Sequence, residues 1–222
     1  MSKIQPIGCF LLPAKISINA VATINKKMFM EAALDLKIER IWCMPNHLTF
    51  LIKPITELLI AEVTSGLWLD PFANENRIRQ IIQSPDVNFI TNDLNPDYPT
   101  DYHMDALEFL KMFPDESVDG VLYDPPYSPR QIAECYKNVG MPVSMKTTQS
   151  SFWSSHKNEI ARIVKPGGKA ICFGWNSQGC GKNRNFEMTR LLIVPHGGNH
   201  NDTLVTVEIK KNPHYPGVNH KN

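Results

Sequence analysis

Residues 121–130 read VLYDPPYSPR, an apolar run that stops at an acid, two prolines and an aromatic ring. Each proline holds φ at about −65° and pushes the residue before it into extended geometry, so the chain leaves the strand along a stiff path. Neither Pro125 nor Pro126 has an N–H, which leaves neighbouring carbonyls free to accept hydrogen bonds from another molecule. The Asp124 carboxylate beside such a carbonyl makes an acceptor pair suited to an amino group with two N–H donors, and Tyr127 adds a face for a planar ring. A nucleobase amine has that chemistry. The competing reading of the same four residues is a Pro-rich turn with a packed tyrosine.

Two further acids end apolar runs upstream: Asp70 after LWL and Asp93 after FITN. Any one of the three would serve as a helix cap, but three in successive units suggest a shared edge. The elements that must position them alternate. A helix-like run from Pro54 to Val63, with Pro54 in its first turn, precedes the strand GLWLD, and NENRIRQIIQ has helical spacing after it. VNFIT is a strand, DALEFLKMF an amphipathic helix, SVDGVLY a buried strand and SSFWSSHKNEIARIV a helix, and KPGGKAICFGW is a turn and strand. TRLLIVPHGG and DTLVTVEIKK follow with no helix between them, as expected of an antiparallel hairpin closing one edge. The pattern predicts an α/β fold, a mainly parallel sheet with helices on both faces. In such sheets ligands bind beyond the carboxyl ends of the strands, where the three acids fall.

Composition narrows the class. The 222 residues, 42% hydrophobic and 20% charged, can bury a full core. A net charge of +1 gives no strong steering toward nucleic acid or membrane, so partners must be argued from sites. The five cysteines (Cys9, Cys43, Cys135, Cys172 and Cys180) have no CxxC spacing, so no metal site and no disulfide framework is expected, and a reducing cytoplasm fits best. The apolar stretch IGCFLLPAKISINAVA is broken by Pro13 and Lys15 and is too interrupted to span a bilayer. In HGGNH, His196 and His200 read as a strand-end loop rather than a metal pair, and Phe152 and Trp153 read as core.

DPPY resembles the D/N/S-P-P-Y/F/W motif of the S-adenosylmethionine-dependent DNA methyltransferases that modify exocyclic amines. LDPFANEN resembles a variant of their first cofactor motif, MPNHLTFLIKPITELL the segment before it, and VKPGGKAICFGW the turn and strand after the catalytic segment. The likeness runs from about Ile41 to Lys210 and is nearest to small adenine-specific enzymes of the phage and prophage type. It implies a Rossmann-like methyltransferase domain at 38–212, with an appended segment at 1–37 and a tail at 213–222. It also implies roles. Asp70, Pro71 and Phe72 would contact the methionine end of the cofactor, with Lys53, Pro54 and Ile55 helping to bury it. Asp93 would hold the ribose hydroxyls, and Asp105 and Ala106 would flank the cofactor's adenine, although Asp105 reads equally as a helix N-cap. Asp124, Pro125, Pro126 and Tyr127 would hold the target base. One departure stands out: where the family's first motif carries glycine, this chain has Ala73 and Asn74. Asn accepts left-handed geometry and Ala is small, so the loop can still turn tightly.

The resemblance implies transfer of a methyl group to the N6 amine of adenine in a DNA substrate. The base would be flipped out of the duplex, with Tyr127 replacing lost stacking. The loop expected after Tyr127 and the stretch NSQGCGKNRNF carry Arg130, Lys137, Lys146, Lys182 and Arg184 as candidate phosphate contacts, each of which also reads as ordinary solvated surface. The four motif residues do not separate adenine from cytosine N4 or from guanine N2 in ribosomal RNA. A nucleic-acid-binding relative without catalysis is the reading from another class.

Overall fold

The computed structural model describes residues 36–140, 142 and 151–212; the expected appended segment up to residue 35, the C-terminal tail and Lys146 lie outside them. Strands β1 (Lys37–Arg40), β2 (Gly66–Asp70), β3 (Val87–Thr91), β4 (Val118–Tyr123), β5 (Val164–Gly174), β6 (Phe186–Val194) and β7 (Thr203–Lys210) form one sheet ordered β1-β6-β7-β5-β4-β2-β3. β2 pairs in parallel with β3 and β4, β4 with β5, and β1 with β6, while β7 runs antiparallel between β5 and β6. The late hairpin is therefore present, with the four-residue β1 added outside it. From β2 the chain moves one way to β3 and from β4 the other way to β5, so the strand order reverses between β2 and β4.

Among the described residues five α-helices accompany the sheet: α1 (Lys53–Glu62), α2 (Ile78–Ile81), α3 (Ala106–Lys111), α4 (Pro129–Asn138) and α5 (Ser151–Ile163). The central strands feed two cores by alternation, as strands buried on both faces must. Trp68, Leu122, Ile171 and Phe173 join Ile55, Leu58 and Leu59 of α1 and Ile78 of α2 on one face. Leu69, Val121, Tyr123, Ala170 and Cys172 join Phe109 and Leu110 of α3 and Ile160 and Ile163 of α5 on the other. The half-buried Arg190 ties the outer strands to this centre through Glu39 of β1 at 2.6 Å and Glu62 of α1 at 3.2 Å.

The sequence reading misses β1, which begins at Lys37 inside the segment read as appended, and differs from the structure in two further places. The stretch after Tyr127 is helix α4 rather than a loop, because Ser128 and Gln131 form a reciprocal capping box and Pro129 stands in its first turn. The Gly167–Gly168 turn is an excursion within β5: Val118 pairs with Val164 and Gly120 with Lys169, so residues 165–168 bulge beside Asp119.

Gly120 shows how tightly β4 is packed. A Cβ built there would lie 2.4 Å from the indole of Trp68, which is held in place by its Nε1 donating to the Ser65 carbonyl at 2.9 Å. Gly120→Ala is expected to lower the stability to chemical denaturation by about 1–3 kcal/mol, the usual cost of overpacking. Unchanged stability would mean that the Trp68 ring moves freely.

Candidate active site

Asp70 ends β2, Asp93 lies just beyond β3 and Asp124 follows β4, so the three acids stand at the carboxyl ends of three adjacent strands. Asp70 is fully buried; its Oδ1 accepts from Phe72 N at 3.2 Å, and its Oδ2 has no hydrogen-bond partner among the described residues. Burial pushes the Asp70 carboxyl well above the usual range, and the nearby Asp124 and Asp93 push it further. Burial likewise raises Asp93, against backbone N–H bonds from Asn95 and Asn74, each at 2.9 Å and each to a different oxygen. Asp124 is raised to about 6 by burial, opposed by hydrogen bonds from Tyr127 and Thr49. The Tyr127 hydroxyl donates to Asp124 Oδ1.

The loop after β2 turns tightly without glycine. Asn74 and Asn76 adopt φ of 48° and 54°, the left-handed region that asparagine tolerates better than most residues. Ala73 is buried and donates its N–H to the Asn92 carbonyl at 2.9 Å. Asn92, which the sequence reading passed over, connects the loops. Its buried side-chain amide donates to the carbonyls of Pro71 at 3.1 Å and Met104 at 3.0 Å and accepts from Met104 N at 3.1 Å. Pro71 and Phe72 are thereby held against the loop that leads to Asp105. Asp105 does cap α3, accepting from Leu107 N at 2.9 Å and Glu108 N at 3.3 Å, and its other oxygen accepts from the Tyr136 hydroxyl of α4 at 2.5 Å.

A cavity of about 400 Å³ collects many of these groups: Pro71, Phe72, Asp93, Asp105, Ala106, Asp124, Pro125, Pro126 and Tyr127 all line it. Asp70 lies beneath and does not line it. Nor do Lys53, Pro54 and Ile55. Pro54 and Ile55 face the core from the first turn of α1 and Lys53 is exposed, whereas His47 and Thr49, a few residues earlier, reach the cavity. Gln131, Tyr136 and Phe152 complete the far wall, so Phe152 is a cavity residue rather than simple core. Behind the Phe72 and Phe152 rings, His156 is buried with its Nδ1 3.1 Å from the Tyr123 hydroxyl, and burial lowers its pKa to about 4, so the ring is neutral at pH 7.

A second cavity, of about 570 Å³, opens on the other side of the Pro125–Tyr127 segment. Pro125 and Tyr127 line both cavities. Trp175, just past β5 and largely exposed, faces Tyr127 with ring centroids 5.5 Å apart. Trp153 also lines the second cavity and anchors the motif, its Nε1 donating to the Pro126 carbonyl at 3.0 Å. Lys157, Lys182 and Arg184 supply its positive charge. Lys182 is exposed, but Arg184 is engaged by Asn158 Oδ1 at 2.7 Å and Ser154 Oγ at 2.9 Å. Arg130 and Lys137 lie on α4 outside both cavities, with Arg130 paired to Glu134 at 2.8 Å. His196 makes ordinary structural bonds, to the Cys43 carbonyl at 2.8 Å and Thr203 Oγ1 at 2.9 Å.

This is the Rossmann-like fold of S-adenosylmethionine-dependent methyltransferases. The structure is similar to TrmN from Thermus thermophilus, with a TM-score of 0.50 at 16% identity over 72% of this chain and 49% of that one. The chain thus spans about half the length of TrmN. It is also similar to the 1,6-didemethyltoxoflavin-N1-methyltransferase of Burkholderia thailandensis, solved with 1,6-didemethyltoxoflavin and S-adenosylhomocysteine bound. That match has a TM-score of 0.50 at 11% identity, covering 91% of this chain and 94% of that one. No protein-family model and no curated protein sequence matches this chain. At these identities the likeness is one of fold. No helix among the described residues is long and apolar enough to cross a membrane.

The loop geometry can be tested at Asn74. Asn74→Gly keeps the left-handed backbone and should leave stability within a few tenths of a kcal/mol, whereas Asn74→Val, β-branched at φ 48°, should lose about 1–3 kcal/mol. Thermal unfolding of the two variants side by side measures the difference.

Proposed function

We propose that this protein is an S-adenosylmethionine-dependent methyltransferase acting on an exocyclic amine, with the N6 amine of adenine in DNA as substrate. The observation that carries the reading is the Asp124-Pro125-Pro126-Tyr127 segment, which stands at the switch point of the sheet and forms a wall common to two cavities. The residues present fit the cofactor. Each Asp93 oxygen accepts one backbone N–H and keeps capacity for ribose hydroxyls, in a cavity of suitable size. Asp105 and Ala106 would hold the adenine end, and Phe72, His47 and Thr49, which line the same cavity, would enclose the methionine end. Asp70, Asp93 and Asp124 together favour a ligand that carries positive charge.

When bound, S-adenosylmethionine supplies a methyl group on a positively charged sulfur, open to attack by nitrogen. The protein's part is to prepare that nitrogen. An aromatic amine shares its lone pair with the ring and is a weak nucleophile. Asp124 and the Pro125 carbonyl accept its two N–H bonds, draw the lone pair out of conjugation and stabilise the charge developing on nitrogen. The Trp153 bond to Pro126 holds the motif rigid, which supports positioning of the reactants. The Tyr127 hydroxyl occupies Asp124 Oδ1 until the amine arrives, and the Tyr127 and Trp175 rings offer stacking to a flipped base. Lys157 and Lys182, in the second cavity, supply phosphate contacts.

The test is transfer of labelled methyl to unmethylated duplex DNA, followed by nucleoside analysis. Wild type is expected to produce methyladenine, and Asp124→Ala, which removes the acceptor, to lose at least about 100-fold in kcat. Methylation of RNA alone would overturn the substrate, and failure to bind S-adenosylmethionine would overturn the whole reading. A second expectation concerns pH. Ionised Asp124 is the stronger acceptor and the form that stabilises positive charge on the amine, and its pKa stands at about 6, so kcat/KM is expected to fall as pH drops through about 6 and to level off above it. A profile flat down to pH values of about 4, the range of an unperturbed carboxyl, would remove Asp124 from the reaction.

A further inference from the structure

Behind the second cavity, three potential ligands meet that the methyl-transfer reading does not use. Cys172 on β5, Cys180 in the loop after it and Glu208 on β7 are all buried, and their sulfur and oxygen atoms lie within 4.8 Å of one another. The two sulfurs are 3.9 Å apart. Two thiolates on one tetrahedral zinc, with Zn–S of about 2.3 Å, sit about 3.8 Å apart, so this pair already has the spacing of a ligand pair.

The carboxylate is held as a ligand carboxylate should be. Cys180 N donates to Glu208 Oε2 at 2.5 Å and Gly181 N to Oε1 at 3.0 Å, which fixes its orientation and leaves lone pairs over. Gly179, at φ 53°, is required for this approach, because a Cβ there would lie 2.2 Å from Glu208 Oε2. An independent observation points to the same place. Thr206 pairs directly with Cys172 across β5 and β7, so both side chains leave the same face of the sheet, and its buried Oγ1 has no hydrogen-bond partner among the described residues. Charge also balances: two thiolates and a carboxylate around a divalent ion carry one net negative charge, and Lys157 and Arg184 both attract Glu208.

We propose that Cys172, Cys180 and Glu208 bind a thiophilic divalent cation of the zinc type, with the fourth position toward the second cavity, whose wall Cys172 and Cys180 form. Binding expels the two thiol protons to solvent and forms two metal–sulfur bonds and one metal–oxygen bond. The site has two sulfurs and one oxygen from the protein, as suits a metal that keeps an exchangeable ligand.

The full chain, reduced and freed of metal by a chelator, is titrated with Zn²⁺ against a chromophoric chelator and separately with Co²⁺. One equivalent is expected to bind, with thiolate-to-cobalt charge-transfer absorption and two sulfurs per zinc by X-ray absorption on the wild-type protein. Cys172→Ser and Cys180→Ser should each weaken binding sharply and diminish the charge-transfer band, and Glu208→Gln should weaken binding at least about tenfold while keeping the band. The triple variant Cys9→Ser/Cys43→Ser/Cys135→Ser should bind as wild type. Absence of stoichiometric binding by wild type, a sulfur count other than two, or a triple variant that loses the metal would overturn the proposal. The wild-type spectra do not depend on any variant folding, and none of these readouts depends on methyl transfer.

Discussion

Three carboxylates, Asp70, Asp93 and Asp124, are held wholly or partly out of water at the ends of adjacent strands, and the surrounding structure is organised around keeping them there. Each is raised above its usual range by burial, and Asp70 feels the charge of the other two. A free chain would never gather them, because desolvation and mutual repulsion both oppose it. What compels them together is the sheet. β2, β3 and β4 are apolar runs whose burial on both faces stabilises the fold, and each carries its acid to the same edge. The unpartnered Asp70 Oδ2 shows the compensation to be incomplete within the described residues.

Two devices make that edge specific. Asn92 connects the loops after β2 and β3 to the one before α3, so the positions of Phe72 and Asp105 are coupled through one buried amide. At β4, Pro125 and Pro126 stiffen the chain, and the Trp153 indole and the Ser128–Gln131 capping box hold the segment on either side. Asp124 and Tyr127 are consequently set by covalent restriction and by hydrogen bonds rather than by side-chain packing alone. The motif forms a partition: one cavity meets it from the acidic side, the other from a side carrying aromatic rings and lysines.

The buried face behind the second cavity follows the same logic with different atoms. Glu208 is desolvated, which raises its pKa, and two backbone N–H groups of the 180–181 loop oppose that shift. The loop that carries Lys182 to the cavity rim is therefore anchored on a carboxylate. Arg184 braces it from the other end through Ser154 and Asn158 of α5.

Much of this was legible in the residue order, because alternation, proline and strand-end acids act locally. Strands β2 to β7, the helices α1, α3 and α5, and the strand-end positions of Asp70, Asp93 and Asp124 follow from periodicity and from chain order in an α/β sheet. Even the tight turn after Asp70 was readable from the tolerance of asparagine for positive φ. Helix α4 was missed: its Ser-Pro-x-Gln start carries a capping signal, but the polar residues around it read as loop. Other features could not be read, since each depends on segments brought together across the chain. Lys53, Pro54 and Ile55 turn away from the cavity because α1 must bury its apolar face, leaving His47 and Thr49 to reach it. Asn92, Trp153 and Trp175 acquire roles only from neighbours that the fold supplies. Cys172, Cys180 and Glu208 have no metal-binding spacing in sequence. Their convergence was decided by the antiparallel pairing of β5 with β7, which sets residues 172 and 208 on one face although they are far apart along the chain.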